Sequence, residues 1–272
     1  MPYLPIKMRK ADLIAARKES KITESTVNGV KVVDVTLTQA SRHAAAKYGI
    51  GIREVNNANR ASGCGPTEVF KGKTTFDPAE FEVAGKEGEL AASIYLTGNE
   101  WPAMRQWVMG TGDSGDLAFW QKDQQKIIDV KIRTMHYHRC FKLTFWQWRD
   151  HSPDYYVSTQ YPTAKRKVVR IWGYIKRTDI DALVAEETKR ILGKSLEWTY
   201  EGDGVDKRVQ MTDAELIKLL NAIQRSKELH NIDKEDEVDL SGIGNLGYGA
   251  EIIVPFTELR QIGELKEVWS KA

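Results

Sequence analysis

The chain has 272 residues, enough for one large domain or two small ones with a sizeable core. Its residues are 41% hydrophobic and 29% charged, as in ordinary globular proteins, and the net charge of +2 excludes a chain that binds nucleic acid through overall charge. The two cysteines are far apart, the N-terminus lacks an apolar signal segment, and no run reaches transmembrane length. We therefore expect a reduced, cytoplasmic protein with no membrane partner.

The N-terminal third is predicted to contain two helices and one strand. Residues 7–20 form a basic amphipathic helix, and the alternating, β-branched segment 31–37 is a strand. The segment 38–48 is a helix, which we expect Gly49 and Gly51 to end. Residues 56–75 show no period and predict a long loop.

The middle of the chain is predicted to form two helices followed by a hairpin. Asp77 as N-cap and Pro78 at the first helical position begin a helix that runs to Leu96. A second helix covers 100–109, and Gly110 ends it. Two short apolar strands, LAFW and IIDVKI, follow and are joined by the polar turn KDQQK.

The remaining elements alternate between strands and helices. We predict strands over 141–148, 154–160 and 167–174, a helix over 179–192 with Gly193 as its stop, a helix over 211–229, a glycine-rich loop over 241–249, the strand EIIVPF and a last helix. This order of helices and a β-meander predicts a mixed α/β sheet.

Two charges interrupt the apolar strand IIDVKI. Asp129 and Lys131 are two residues apart, so their side chains lie on the same face of the strand. Burying a carboxylate and an ammonium is costly unless they are paired or serve a function. One explanation is a structural ion pair or a solvent-facing edge strand. The other is a catalytic site.

Further carboxylates lie where such a site would need them. Asp116 begins the LAFW strand, and the hairpin brings it towards Asp129. Asp113 is the less favoured alternative, because it is suited to capping the turn. Glu89, on the preceding helix, is a third or outer-sphere carboxylate, with Glu87 as the alternative. Magnesium favours such hard oxygen ligands, and Lys131 would orient or help to deprotonate a metal-bound water.

These residues resemble the PD-(D/E)XK nuclease superfamily. The resemblance rests on the GxxGE helix (Gly85 to Glu89), the aspartate at a strand start in GDSGD, and D-x-K in IIDVKIRT, and it extends over about 84–192. The pattern is similar to compact deoxyribonucleases encoded by phages and microbes. The superfamily's Pro-Asp is replaced here by Gly115-Asp116.

The resemblance implies a fold, a cofactor and a substrate. The fold would be α/β, with a restriction-endonuclease-like mixed β-sheet core flanked by helices over 77–194 and with elaborations over 1–76, for DNA binding or dimerisation, and over 195–272. Asp116, Asp129, the Val130 carbonyl and Glu89 would bind Mg²⁺, for which Mn²⁺ can substitute, and Lys131 would be the catalytic lysine. The substrate would be DNA, cut by an endonuclease or an exonuclease, with a homodimer as one option and the host cytoplasm as the location of a phage-encoded enzyme.

Two alternatives remain open: a non-catalytic DNA-binding or assembly protein with a nuclease-like fold, and an RNA-directed nuclease.

Acid-x-Lys triplets also begin at Glu19, Glu187 and Glu264. Only the Asp129 triplet lies in a predicted strand after an acidic strand start and a GxxGE helix. The other three serve as internal controls.

Weaker signals surround this core. A basic group is predicted to contact nucleic-acid phosphates and comprises Arg133, Lys165, Arg166, Lys167 and Arg170. A solvated hairpin tip is the alternative for its segment 161–170. His136 and His138 form a possible zinc pair only if their strand continues. Trp146, Trp148, Tyr155 and Tyr156 are predicted to belong to the core, with base stacking as the alternative.

Overall fold

The computed structural model describes residues 20–61, 78–107, 116–134, 136–144, 147–148, 153–195, 198–201, 206–209 and 251–271, together with positions 212, 215, 218 and 219. Its strands are β1 (Lys21–Val27), β2 (Val30–Thr36), β3 (Leu117–Gln121), β4 (Gln124–Arg133), β5 (Cys140–Thr144), β6 (Tyr155–Gln160), β7 (Val168–Lys176), β8 (Trp198–Glu201), β9 (Asp206–Val209) and β10 (Glu251–Pro255). Its helices are α1 (Gln39–Ala61), α2 (Pro78–Thr97), α3 (Trp101–Met104), α4 (Arg177–Leu192) and α5 (Ile262–Ser270), with a 3-10 turn at Phe256–Glu258.

Six strands form one mixed sheet in the order β1-β2-β7-β6-β4-β3. β1 and β2, β2 and β7, and β3 and β4 are antiparallel pairs. Between β4 and β6, the Tyr161 N–H donates to the Arg133 carbonyl and the Thr159 hydroxyl donates to the Lys131 carbonyl. Residue numbers therefore rise together in these two strands, as in a parallel pair. The fold is mixed α/β, as predicted.

Tight turns close the two hairpins of this sheet. Asn28 and Gly29 have φ angles of 50° and 80°, and Lys122 and Asp123 have φ angles of 47° and 64°. Two consecutive positive φ angles match the right-handed twist of the flanking strands. The turn of the second hairpin is shorter than the predicted KDQQK segment, because Gln124, Gln125 and Lys126 already belong to β4.

Close helix approaches depend on two glycines. A Cβ atom at Gly49 would lie 2.8 Å from the backbone nitrogen of Val83 in α2. A Cβ atom at Gly88 in α2 would lie 2.8 Å from the Thr159 hydroxyl of β6. The absence of side chains at these positions lets α1 approach α2, and lets α2 approach the sheet beside Glu89.

The described residues belong to two compact units. The first contains those up to His136, Val157–Tyr174 and those from Arg260 onward; its core includes Val35, Leu90, Leu117, Ile128 and Ile171. The second contains those within Tyr137–Tyr156 and Ile175–Leu259, and its core includes Phe141, Leu143, Trp148, Tyr156 and Ile180. β5 and β10 pair antiparallel in the second unit, and so do β8 and β9.

Several predicted elements are confirmed. They are the strands β2, β3, β4, β6, β7 and β10, the helices α2 and α5, and α4 with Gly193 at φ 69° as its stop. β1, β8 and β9 were not predicted. The helix predicted over 7–20, the loop over 241–249, the N-cap Asp77 and most of the helix predicted over 211–229 lie outside the described residues.

Three boundaries were wrong. α1 continues through Gly49 and Gly51 to Ala61, because the missing Cβ at Gly49 serves the contact with α2. The same helix replaces the beginning of the loop predicted from residue 56. α3 ends at Met104, earlier than predicted. The strand predicted to reach Trp148 ends at Thr144, and Trp148 is helical.

Candidate active site

The β3–β4 hairpin brings Asp116 against the strand that carries Asp129 and Lys131. Leu117, the first residue of β3, pairs with Ile128. The Asp116 N–H donates to the Ile128 carbonyl over 2.9 Å, and the Val130 N–H donates to Asp116 Oδ2 over 2.6 Å. A backbone amide of β4 therefore fixes the Asp116 carboxylate beside the strand. Val130 is itself buried.

Asp129 and Lys131 form a direct ion pair. Lys131 Nζ lies 2.7 Å from Asp129 Oδ2, and the side chains are 23% and 12% exposed, respectively. Their position two residues apart on β4 places both on one face, as the sequence predicted. The pair lies at the boundary of the core, where the lysine retains some access to solvent.

Glu89 reaches this site from α2. Its Oε1 lies 2.7 Å from Lys86 Nζ, and its Oε2 accepts a 2.6 Å hydrogen bond from Trp107 Nε1. Lys86 Nζ also lies 5.6 Å from the ring centre of Tyr48 and 5.7 Å from that of Trp107. Both carboxylate oxygens of Glu89 are thus held in a buried cluster of a cation and two aromatic rings.

Glu87 belongs to a different cluster. It accepts hydrogen bonds from Arg42 Nε over 3.0 Å and from the Tyr161 hydroxyl over 2.7 Å. Burial and the Glu87 charge raise the pKa of Tyr161 well above its ordinary value. The hydroxyl therefore remains a hydrogen-bond donor. Of the two glutamates considered from the sequence, Glu89 interacts electrostatically with Asp116, whereas Glu87 links α2 to Arg42 of α1 and to Tyr161, which follows β6.

The electrostatics of the site favour a bound positive charge. Burial raises the pKa of Asp116 well above its ordinary value, and the Glu89 and Asp129 charges raise it further. The charges of Lys86 and Lys131 offset only part of this shift. Three carboxylates share two ammonium groups, so a proton on Asp116 relieves the excess negative charge.

Lys131 is held in its protonated form. Burial lowers the pKa of its ammonium, but the charges of Asp129, Asp116 and Glu89 raise it by more, and the net shift is upward. A lysine that stays protonated at neutral pH is not available to accept a proton. Of the two roles considered from the sequence, orienting a water or stabilising negative charge suits Lys131 better than removing a proton.

The oxygen atoms of the site are of the type that binds a hard divalent cation. Asp116 and Asp129 supply carboxylate oxygens, and the excess of negative charge is of the sign that a cation would neutralise. Within the part of the chain that the structure describes, no three His, Cys, Asp or Glu side chains are grouped as a metal-holding cluster. Because Lys131 pairs with Asp129 Oδ2, a cation at Asp129 would compete with the ammonium for that oxygen.

The predicted phosphate-contacting residues have different surroundings. Arg170 forms two hydrogen bonds with Asp34, of 2.7 and 2.8 Å, across the β2–β7 pair. Arg166 lies 3.1 Å from Glu80 and over the Tyr161 ring. Lys165 and Lys167 are exposed, and Arg133 is half-buried at the end of β4. Only the two lysines are fully available at the surface.

The histidine and aromatic patterns have structural explanations. β4 ends at Arg133, so the strand alternation required for a zinc pair does not reach His136 and His138. Trp148 and Tyr156 are fully buried, and Trp148 Nε1 donates to Asp181, so the prediction that they belong to the core is confirmed. Trp146 lies outside the described residues.

Sequence reasoning missed Lys86 and Trp107 as neighbours of Glu89. Lys86 stands three residues before Glu89, a spacing that brings helical side chains together, and this signal was present in the sequence. Trp107 follows α3, and no periodic pattern links it to α2.

Comparisons with protein-family models, with curated proteins and with solved structures found no match to this chain. Among the described helices, none combines the length and apolar character needed to span a membrane.

Proposed function

We propose that this protein is a magnesium-dependent deoxyribonuclease that hydrolyses phosphodiester bonds with a metal-activated water. The observation that carries the proposal is the convergence of Asp116, Asp129, Lys131 and Glu89. These residues come from three separate elements and meet around one partly buried site. The restriction-endonuclease-like arrangement of that core, and DNA as its substrate, belong to the same proposal.

The residues divide the chemistry among them. Asp116 and Asp129, with the Val130 carbonyl, would hold Mg²⁺, which when bound supplies an activated water and positive charge. Lys131 keeps its proton and donates a hydrogen bond to the phosphate oxygens, where negative charge develops. Glu89 is held by Lys86 and Trp107 and supplies an outer hydrogen-bond acceptor.

A second candidate is a non-catalytic nucleic-acid-binding or assembly protein built on the same type of core. The direct Lys131–Asp129 pair favours it, because a 2.7 Å ion pair can neutralise both charges without any cation. The two candidates differ in whether a divalent cation binds beside this pair.

Incubation with DNA and Mg²⁺ or Mn²⁺ tests the proposal. The wild type, Asp129→Asn and Lys131→Met are each incubated with four substrates. These are supercoiled plasmid, labelled duplex DNA, labelled single-stranded DNA, and labelled RNA of the same sequence. We expect metal-dependent DNA cleavage by the wild type and a loss of at least about 100-fold in either variant, as for other groups that stabilise charge in a transition state.

The matched control is Glu187→Gln combined with Lys189→Met. This acid-x-Lys triplet lies on α4, where Glu187 pairs with Arg190, and cleavage should be unchanged. DNA binding without cleavage by any of the proteins would support the second candidate. Cleavage of RNA with DNA spared would identify an RNA-directed nuclease.

A further inference from the structure

The β3–β4 hairpin carries an exposed tryptophan on the same face as the candidate active site. Trp120 pairs with Gln125, and Ala118 pairs with Ile127. Side chains of paired residues lie on one face, and along β4 the residues Gln125, Ile127, Asp129 and Lys131 alternate onto that same face. The hairpin therefore has Trp120 near its turn and the Asp129–Lys131 pair further along.

The distance between Trp120 and the Asp129–Lys131 pair is short enough for one extended ligand to contact both. Asp129 lies four residues further along β4 than Gln125, the partner of Trp120, which is a distance of about 13 Å at ~3.3 Å per residue. A stacked nucleic-acid strand advances by about 3.4 Å per nucleotide, so this distance corresponds to roughly four nucleotides. A strand whose scissile phosphate lies at Asp129 can thus present a base to Trp120.

The surroundings of Trp120 are open and polar. Its side chain is 61% exposed, although the other aromatic residue of β3, Phe119, is buried against Trp269 of α5. Lys122, Asp123, Gln124 and Gln125, which form and follow the turn, are all exposed. An indole ring in this setting offers its face to a planar ligand, and the polar groups around it can bond a sugar or phosphate.

We propose that Trp120 is a stacking platform for an unpaired nucleobase of a strand that is bound across the candidate active site. The inference rests on the proposed function, because the site defines where the phosphate backbone lies. It adds a substrate class: single-stranded DNA, or duplex DNA with unpaired bases beside the scissile phosphate. A base within a continuous duplex is covered by its neighbours and leaves no free face for the indole ring.

Binding measurements separate this role from catalysis. The full chain carrying Lys131→Met serves as the parent protein, so that DNA stays intact in Mg²⁺. Fluorescence anisotropy then compares a labelled single strand with a blunt duplex. We expect Trp120→Ala to weaken single-strand binding by roughly 5- to 150-fold, the effect of losing one base–aromatic stack, and to change duplex binding less.

Three further variants identify the interaction as stacking. Trp120→Phe keeps an aromatic ring and should retain most of the affinity, whereas Trp120→Leu should be as weak as Trp120→Ala. Trp101→Ala removes a tryptophan that is 52% exposed at the start of α3, and should bind like the parent. Because Trp120 is largely exposed, the thermal unfolding of its variants should match that of the parent.

Other outcomes overturn the inference in distinguishable ways. If Trp120→Leu binds like the parent, the contact is apolar and not stacking. If Trp120→Ala changes only sedimentation of the protein, the tryptophan faces a second copy of the chain. If the parent binds DNA and Trp120→Ala has no effect, this inference fails while the proposed function stands. If neither the parent nor the wild type binds DNA, the proposed function fails as well.

Discussion

Buried glutamates in this protein are stabilised by different kinds of partner. Glu89 has a lysine and an indole N–H, and Glu87 has an arginine and a phenol. Glu100 is also buried, and it accepts a short hydrogen bond from the Ser41 hydroxyl near the start of α1. The Thr38 hydroxyl contacts Ser41 and also accepts its backbone N–H over 3.0 Å. Glu100 thus connects the loop before α3 to the N-terminus of α1.

Glu100 predicts a pH dependence of stability. Burial raises the pKa of Glu100 above 4.5, and the Ser41 hydrogen bond offsets part of the shift. The folded state therefore binds this proton more tightly than the unfolded state does. The stability from this effect is fully present below the unfolded pKa and is lost as pH rises through the folded pKa. Chemical denaturation at several pH values should show this loss.

Glu100→Gln removes the titration and keeps the shape of the side chain. We expect the free energy of unfolding of the wild type, relative to that of the variant, to fall as pH rises from about 4 through the raised pKa. A difference between the two proteins that stays constant across this range would contradict the assignment.

At the site itself, alternation within β4 was enough to place Asp129 and Lys131 on one face, and the strand start was enough to place Asp116 beside them. The sequence analysis named Glu89 and kept Glu87 as the alternative, because the sequence alone does not fix how α2 is rotated on the sheet. Whether the Lys131–Asp129 pair is permanent or opens for a cation depends on an energy difference that alternation does not encode.

Among the elements, α1 and α2 depend on a glycine whose role is packing. Alanine stabilises an exposed helix relative to glycine by about 0.5–1 kcal/mol. At Gly49, however, an added Cβ would meet the α2 backbone at 2.8 Å. We expect Gly49→Ala to lower the free energy of unfolding by about 1–3 kcal/mol in urea denaturation, because the helices must move apart.

Gly85→Ala is the matched control within α2. Nothing lies within 4 Å of a Cβ atom built at Gly85. This variant should be neutral or more stable by about 0.5–1 kcal/mol. If Gly49→Ala behaves in the same way, the helices have room that the structure does not indicate.

Burial explains which helices and strands could be predicted from the sequence and which could not. α2 and the β3–β4 hairpin were predicted because their apolar residues follow a helical or strand period that burial enforces. β1, KITESTV, was missed because its residues are exposed or half-exposed at the sheet edge, where no apolar alternation is required. Trp148 was assigned to a strand because its aromatic segment suits one, whereas the structure has a helical turn there and the Trp148 indole N–H donates to Asp181 of α4.

For the molecule as a whole, the candidate active site is contained in one compact unit. Asp116, Asp129, Lys131 and Glu89 all belong to the first unit, and so does Trp120. The second unit has its own buried polar group, in which Arg177 donates to Asp181 and to the Tyr156 hydroxyl. The site therefore depends on the packing of α2 against β4 and β6.

We propose that the carboxylates beside Lys131 hold a divalent cation. A ligand that binds only the folded protein at about 100 times its Kd adds about 2.7 kcal/mol to the free energy of unfolding. The most direct measurement is the change in Tm on adding Mn²⁺ to the wild type, to Asp129→Asn and to Glu187→Gln. We predict an equal rise for the wild type and Glu187→Gln and no rise for Asp129→Asn. A rise of the same size in Asp129→Asn, or no rise in the wild type, would show that Asp129 does not hold the cation and would favour a structural role for its pair with Lys131.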